Sequence, residues 1–149
     1  MATKRDNPYG AFNFKVEFGD AGSGPIEAGF SDVSGIGNEV NYSEYRQGTD
    51  RTNTMRKVPN TFKLDEVTLK RGLIGSTDIF EWLKATRDGA YQPRTVTIVM
   101  LDEARNEVLS LVLKNAQPKK WVGPTLAAKG GGEVAMEELH LVHEGIDYE

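Results

Sequence analysis

The chain has no cysteine. That absence removes disulfides, thiolate metal ligands and cysteine nucleophiles together, and such a chain suits reducing and oxidising surroundings alike. Histidine is scarce as well, limited to His140 and His143. They lie three apart in an expected strand, where their side chains point to opposite faces and cannot converge on one ion. No apolar run approaches the roughly 18 residues that a membrane span needs. The opening residues, Met1 to Pro8, lack the apolar stretch of a secretory signal, so synthesis in the cytoplasm without a signal peptide is expected. Positive charge is not in excess either. A formal net charge of -4 argues against a general nucleic-acid binder, which is normally basic.

What the chain does contain fits one globular domain over residues 1–149, with residues 1–11 as an extended amino-terminal segment. Its 149 residues can bury a core without metal or disulfide staples, and 38% hydrophobic with 27% charged content is ordinary for a folded protein. The pattern is mostly that of strands. Phe12, Phe14, Val16 and Phe18 alternate with Asn13, Lys15 and Glu17, the two-residue period of a half-buried strand. A glycine-rich turn from Gly19 to Pro25 precedes a weaker strand from Ile26 to Val33. Arg94–Leu101 and Glu107–Leu113 flank a turn-like Asp102–Asn106 and predict a hairpin apolar on both faces. Such a hairpin is expected to be covered on both sides.

Two strands show a phase slip. Phe62 and Leu64 are followed by Val67 and Leu69, and Val134 and Met136 by Leu139 and Leu141. A β-bulge or a strand bending between packing layers gives this pattern. One helix is expected, at about residues 77–88. Asp78 and Glu81 have capping-box spacing, Ile79, Phe80, Trp82 and Leu83 form its apolar side, and Gly89 supplies a C-terminal stop. Trp82 is read as core.

The segment from Tyr42 to Gly72 stands out. An apparent strand over Asn38–Tyr45 enters an arm-like loop at about 46–60, and a strand centred on Val67–Lys70 returns. Long connections within a compact domain are usually functional or disordered. This one carries Arg46, Arg51, Arg56 and Lys57, with Met55 its main bulky apolar residue. It is read as reaching something outside the domain.

The usual catalytic arrangements are missing. Glu133, Glu137, Glu138 and Glu144 are abundant, but no cleft is marked to hold a carboxylate pair. Lys129–Glu133 is glycine-rich yet lacks the Lys-Ser or Lys-Thr of a phosphate loop and reads as a hairpin turn. Lys119-Lys120-Trp121 reads as a strand edge beside a turn or a small basic-aromatic patch. No catalytic residue, cofactor or metal site is assigned.

The order of the blocks carries a resemblance. Phe30-Ser31-Asp32-Val33-Ser34-Gly35-Ile36 is followed by Glu44-Tyr45-Arg46-Gln47-Gly48 and Lys57-Val58-Pro59. Next come Val67-Thr68-Leu69-Lys70-Arg71-Gly72, Ile79-Phe80-Glu81-Trp82-Leu83 and Asn115–Trp121, and the series ends with Glu133–Leu141. From about Phe12 onward the chain resembles the inner tube proteins of contractile phage tails and phage-tail-like injection systems, with Asp50–Thr54 standing as an insert. The resemblance implies a mainly β fold, two packed antiparallel sheets as a sandwich or open barrel, with the helix at the side. It implies a structural, non-enzymatic protein that self-assembles into hexameric rings stacked as a rigid tube, within a phage tail or an extracellular or cell-associated injection particle. The implied partners are further copies of itself, sheath, spike and baseplate proteins, a cap or terminator protein, and a channel cargo of protein effector or DNA. Sheath contraction would drive the tube through a target envelope. Tyr42, Glu44, Tyr45, Arg46, Arg51, Met55, Arg56 and Lys57 then become candidates for subunit or ring contacts. Three other readings stay open: the secreted ring protein of type VI secretion, a small-ligand-binding β-barrel, and an enzyme with its site scattered on loops.

Overall fold

The alternating apolar residues near the amino terminus form β1 (Phe14–Phe18), which buries Val16 and Phe18. The computed structural model describes residues 2–19, 26–49, 51–52, 54–130 and 134–149. The expected glycine-rich turn lies largely outside the described residues, at 20–25, as do Asp50 and Asn53 of the arm and 131–133 of the later turn.

The expected weak strand over Ile26–Val33 is two strands in two sheets. β2 (Ile26–Ala28) pairs antiparallel with β1, whereas β3 (Asp32–Ser34) pairs with β6 (Val67–Gly72). The chain crosses between sheets at Gly29–Ser31, and Phe30 enters the core there. The predicted hairpin is present as β7 (Arg94–Leu101) and β8 (Glu107–Val122), paired from Leu101 and Glu107 back to Arg94 and Ala116. Asp102 shapes its turn by accepting from the backbone N–H of Ala104 and Asn106 at 2.9 and 2.8 Å.

β8 runs through both sheets. Its first part pairs with β7 on one side and β10 (Gly145–Tyr148) on the other; its last part, from Gln117, pairs with β9 (Met136–Val142). The change falls around Asn115, which takes a left-handed φ of 49°, and a register shift between Pro118 and Lys120. The result is one sheet ordered β2-β1-β7-β8 with β10 beside β8, and another ordered β8-β9-β6-β3. Buried residues of both form a single core: Val16, Phe18, Val96, Ile98 and Leu113 from one, Val67, Leu69, Leu139 and Leu141 from the other.

The helix α1 (Asp78–Arg87) closes the side of this core with Ile79 and Trp82. Trp82 meets the edge of Phe18 at 5.8 Å between ring centroids and donates its indole N–H to the Gln92 carbonyl at 2.9 Å. The expected Asp78–Glu81 capping box does not form. Thr77 occupies the N-cap without a side-chain bond, and the Asp78 carboxylate instead accepts from the Ser76 hydroxyl. Gly89 takes the left-handed φ of 101° suited to a glycine stop.

The phase slip in the last strand is not a bulge in β9. β9 keeps a continuous register with β6, from Val67 opposite Leu141 to Gly72 opposite Met136. The inward position before Leu139 belongs to Glu137, which is buried against Arg71. A charge at a core-facing position makes a regular strand read as interrupted. The slip between Leu64 and Val67 has another origin: the chain leaves one strand pair at Leu64 and starts the next at Val67.

Residues 2–11 carry no helix or strand but are tied to the body. The Thr3 N–H donates to the Val108 carbonyl at 2.8 Å, and the Arg5 guanidinium forms paired bonds to Glu103 at 2.7 and 2.9 Å. Val99 and Val108 are buried on the face of the β7–β8 hairpin away from the core. Part of the cover expected over that face therefore comes from the chain's own amino-terminal segment.

Candidate assembly surface

The arm is a β-hairpin. β4 (Asn38–Tyr45) and β5 (Arg56–Leu64) form a two-stranded sheet of their own, continuing the β3–β6 pair beyond the body. Only residues 46–55 connect the strands, so the expected loop at about 46–60 is shorter and the projection as a whole is longer. At its root, Gly35 has a φ of 81°, and a Cβ there would stand 2.1 Å from the Glu66 carbonyl oxygen. No other residue type fits without moving the backbone.

Every residue of β4 is exposed, and in β5 only Leu64 is partly covered. The register explains which side chains share a face. Val40 opposes Phe62, Tyr42 opposes Pro59 and Glu44 opposes Lys57, with a shift between Val40 and Tyr42 that adds one residue to β5. The shift matters because it keeps Pro59 on the same face as Phe62. One face thus gathers Val40, Tyr42, Pro59, Phe62 and Leu64, with Asn38 at its root and the Glu44–Lys57 ion pair at its outer end. The other holds Glu39 opposite Lys63, Ser43 opposite the exposed Val58 and Tyr45 opposite Arg56, with Asn41 bonded to Thr61 and Asn60 to Ser43.

Phe62 is 63% exposed, Tyr42 58% and Val40 46%. An isolated two-stranded hairpin is at best marginally stable in water, and burying one such apolar side chain is worth about 1.5–3 kcal/mol. The face therefore gains most if something covers it. By contrast, the outer faces of the body carry ion pairs, such as Lys15 with Glu17 and Glu107, and Lys70 with Glu138.

All eight sequence-assigned contact residues fall on the arm. Tyr42, Glu44 and Tyr45 lie on β4, Arg56 and Lys57 open β5, and Arg46, Arg51 and Met55 lie in the connection. The structure brings Lys57 and Glu44 into an ion pair, and Arg46 donates to the Thr52 carbonyl at 3.2 Å. Sequence reasoning missed Val40, Pro59, Phe62 and Leu64. Phe62 and Leu64 were visible as alternating apolar positions, but the register shift and Pro59 hid that they share a face with Val40 and Tyr42.

Among the described residues, no three His, Asp or Glu side chains gather as metal ligands. His140 lies 3.2 Å from the Thr68 hydroxyl and 3.4 Å from Glu138. Lys119, from the basic-aromatic stretch, pairs with Glu66 and holds that carboxyl below its ordinary range. Trp121 is half-buried and donates to Glu137 at 3.0 Å. An open cleft of about 530 Å³ separates the sheets beside β3, lined by Phe14, Val33, Ile36, Ile98, Met100 and Leu111.

Two antiparallel sheets sharing a strand, a side helix and an exposed hairpin arm with one largely apolar face make up the module. Residues 10–147 match the family of T4-like virus tail tube protein gp19, and the chain belongs to that family. Among solved structures, it resembles a chain of the anti-feeding prophage baseplate, 6-fold symmetrised, with a TM-score of 0.85 at 21% identity over 97% of both chains. A chain of the extended sheath-tube complex of the PVC extracellular contractile injection system gives 0.83 at 23% identity, over 95% of this chain and 91% of that one. Hcp1 from Flavobacterium johnsoniae gives 0.57 at 12% identity, over 92% and 94%. At these identities the likeness is one of fold. No curated relative is matched by sequence.

Proposed function

We propose that this chain is a non-enzymatic structural subunit that self-assembles into hexameric rings, and that the rings stack into the rigid inner tube of a contractile tail or injection particle. The observation that carries this is the arm, a solvent-exposed apolar hairpin face on a member of a tail tube family. Joining subunits would also remove the open sheet edges that otherwise invite disordered association. Tyr42, Glu44, Tyr45, Arg46, Arg51, Met55, Arg56 and Lys57 are proposed as subunit contacts on this reading. A sheath would surround the tube, a spike and baseplate would tip it, a cap or terminator would end it, and effector protein or DNA would occupy its channel. Mixed charges on the arm select partner and register more than they add affinity.

Negative-stain electron microscopy of the purified protein tests the reading. Rings or tubes are expected as concentration rises; a uniform population of monomers at high concentration would overturn it.

A further inference from the structure

A second exposed apolar patch lies at the far end of the sheet that carries the arm. β6 begins at Val67 beside the arm root, where Asp65 N–H bonds the Gly37 carbonyl, and ends at Gly72. Just beyond, Leu73 N–H bonds the Ala135 carbonyl, and Val134 lies against Gly72. Ile74 is 76% exposed and Val134 74%, with Leu73 also exposed. This end turns directly into α1, whose first turn bears the acidic, exposed Asp78 and Glu81. The arm presents the complement, an apolar face beside a tip where Arg46, Arg51 and Arg56 stand next to a Lys57 already paired with Glu44, leaving the tip net basic among the described residues.

The two patches cannot meet within one chain. β6 alone spans about 17 Å between them, and the arm projects away from it. Two different patches at opposite ends of one molecule form a head-to-tail contact, which propagates from copy to copy instead of closing on itself as a two-fold dimer.

Resting on the tube reading, we infer that the seat of the arm is the Leu73–Ile74–Val134 end of a second copy, with the basic tip against Asp78 and Glu81 of that copy. The competing apolar seat is the cleft between the sheets, which carries Asp32 and Lys70 on its rim instead of a single sign of charge.

The absence of cysteine makes the test clean. Phe62→Cys, Ile74→Cys and Met100→Cys variants would be prepared separately, each checked for rings or tubes by microscopy. The arm variant is then oxidised in equal mixture with each of the others, and covalent dimers are scored on non-reducing gels. The Phe62–Ile74 mixture is expected to give about tenfold more dimer than the Phe62–Met100 mixture, a difference worth about 1.4 kcal/mol in contact preference. A chain carrying F62C and I74C together should give a ladder of covalent multimers. Assemblies that form without the Phe62–Ile74 bridge, or that bridge Phe62 to Met100 instead, overturn the seat and leave the tube reading intact. Particles that never exceed a monomer overturn both.

Discussion

Arg71 and Glu137 face each other across β6 and β9 as an ion pair whose side chains are 3% and 4% exposed. The pair is embedded in a wider set of partners. Glu137 also accepts from the Trp121 indole at 3.0 Å, and Arg71 donates to the Ser76 carbonyl at 3.3 Å and lies over the Phe30 ring at 5.7 Å. It therefore ties together two adjacent strands, the end of β8 and the approach to the helix. Desolvation offsets much of the attraction between such charges, so the pair fixes geometry more than it adds stability.

Breaking one partner should be costly. Glu137→Ala leaves a buried guanidinium without its counter-charge and is expected to lower stability by about 3–5 kcal/mol. Replacing both, as Arg71→Met with Glu137→Leu, should recover most of that loss. Urea unfolding of an assembly-deficient background measures both; equal losses in the single and double variants would contradict the account.

That same Glu137 marks a limit of sequence reading. Alternation made β1 legible, because Val16 and Phe18 follow a plain two-residue period into the core, and the β7–β8 hairpin was legible as two β-favouring apolar runs around a turn. A carboxylate in the inward row has no apolar signature, so β9 read as kinked. The arm was legible as an excursion through its charge and length, but not as a hairpin. Pro59 argues against a strand in sequence, and the extra residue near it puts Phe62 out of phase with Val58. The far-end patch was not legible at all. Leu73 and Ile74 follow a strand and Val134 precedes one, and only the β6–β9 register brings them together.

Charge reversal on the arm should separate folding from assembly. Arg51→Glu, Arg56→Glu and Lys57→Glu together take the formal charge from -4 to -10, since three reversals change it by two each. Lys57→Glu also sets like charges across the strand from Glu44. Assembly is expected to need about tenfold more protein or higher, a penalty on the order of 1.4 kcal/mol, while the β-rich circular dichroism spectrum stays unchanged. Unaltered ring and tube formation would remove the arm tip from the contact.

The amino-terminal tie should respond to acid. Hydrogen bonds from Arg5 pull the Glu103 carboxyl from 4.5 down to about 2. A carboxylate with a lowered folded-state pKa stabilises fully above its unfolded value, and that contribution fades as pH falls from about 4.5 towards 2. The pair is exposed, so the effect is local and weakened by salt. Hydrogen exchange at the Thr3 amide, corrected for its intrinsic rate, should accelerate over that window. In Glu103→Gln the amide should be less protected already at neutral pH, without the acid step.

The strand order also sets a sequence of events in time. β4 and β5 are neighbours in the chain, joined through residues 46–55, and can meet as soon as both are made, whereas Val67 must wait for Leu141. Early β1 likewise pairs with the much later β7. Pairings between distant parts of a chain close slowly, because the ends must first find each other. The adhesive hairpin can thus exist before the body that anchors it, so newly made chains expose their sticky element during their least protected interval. Yield in recombinant production should accordingly depend on expression rate, with slower synthesis giving the late pairings time to close before chains meet.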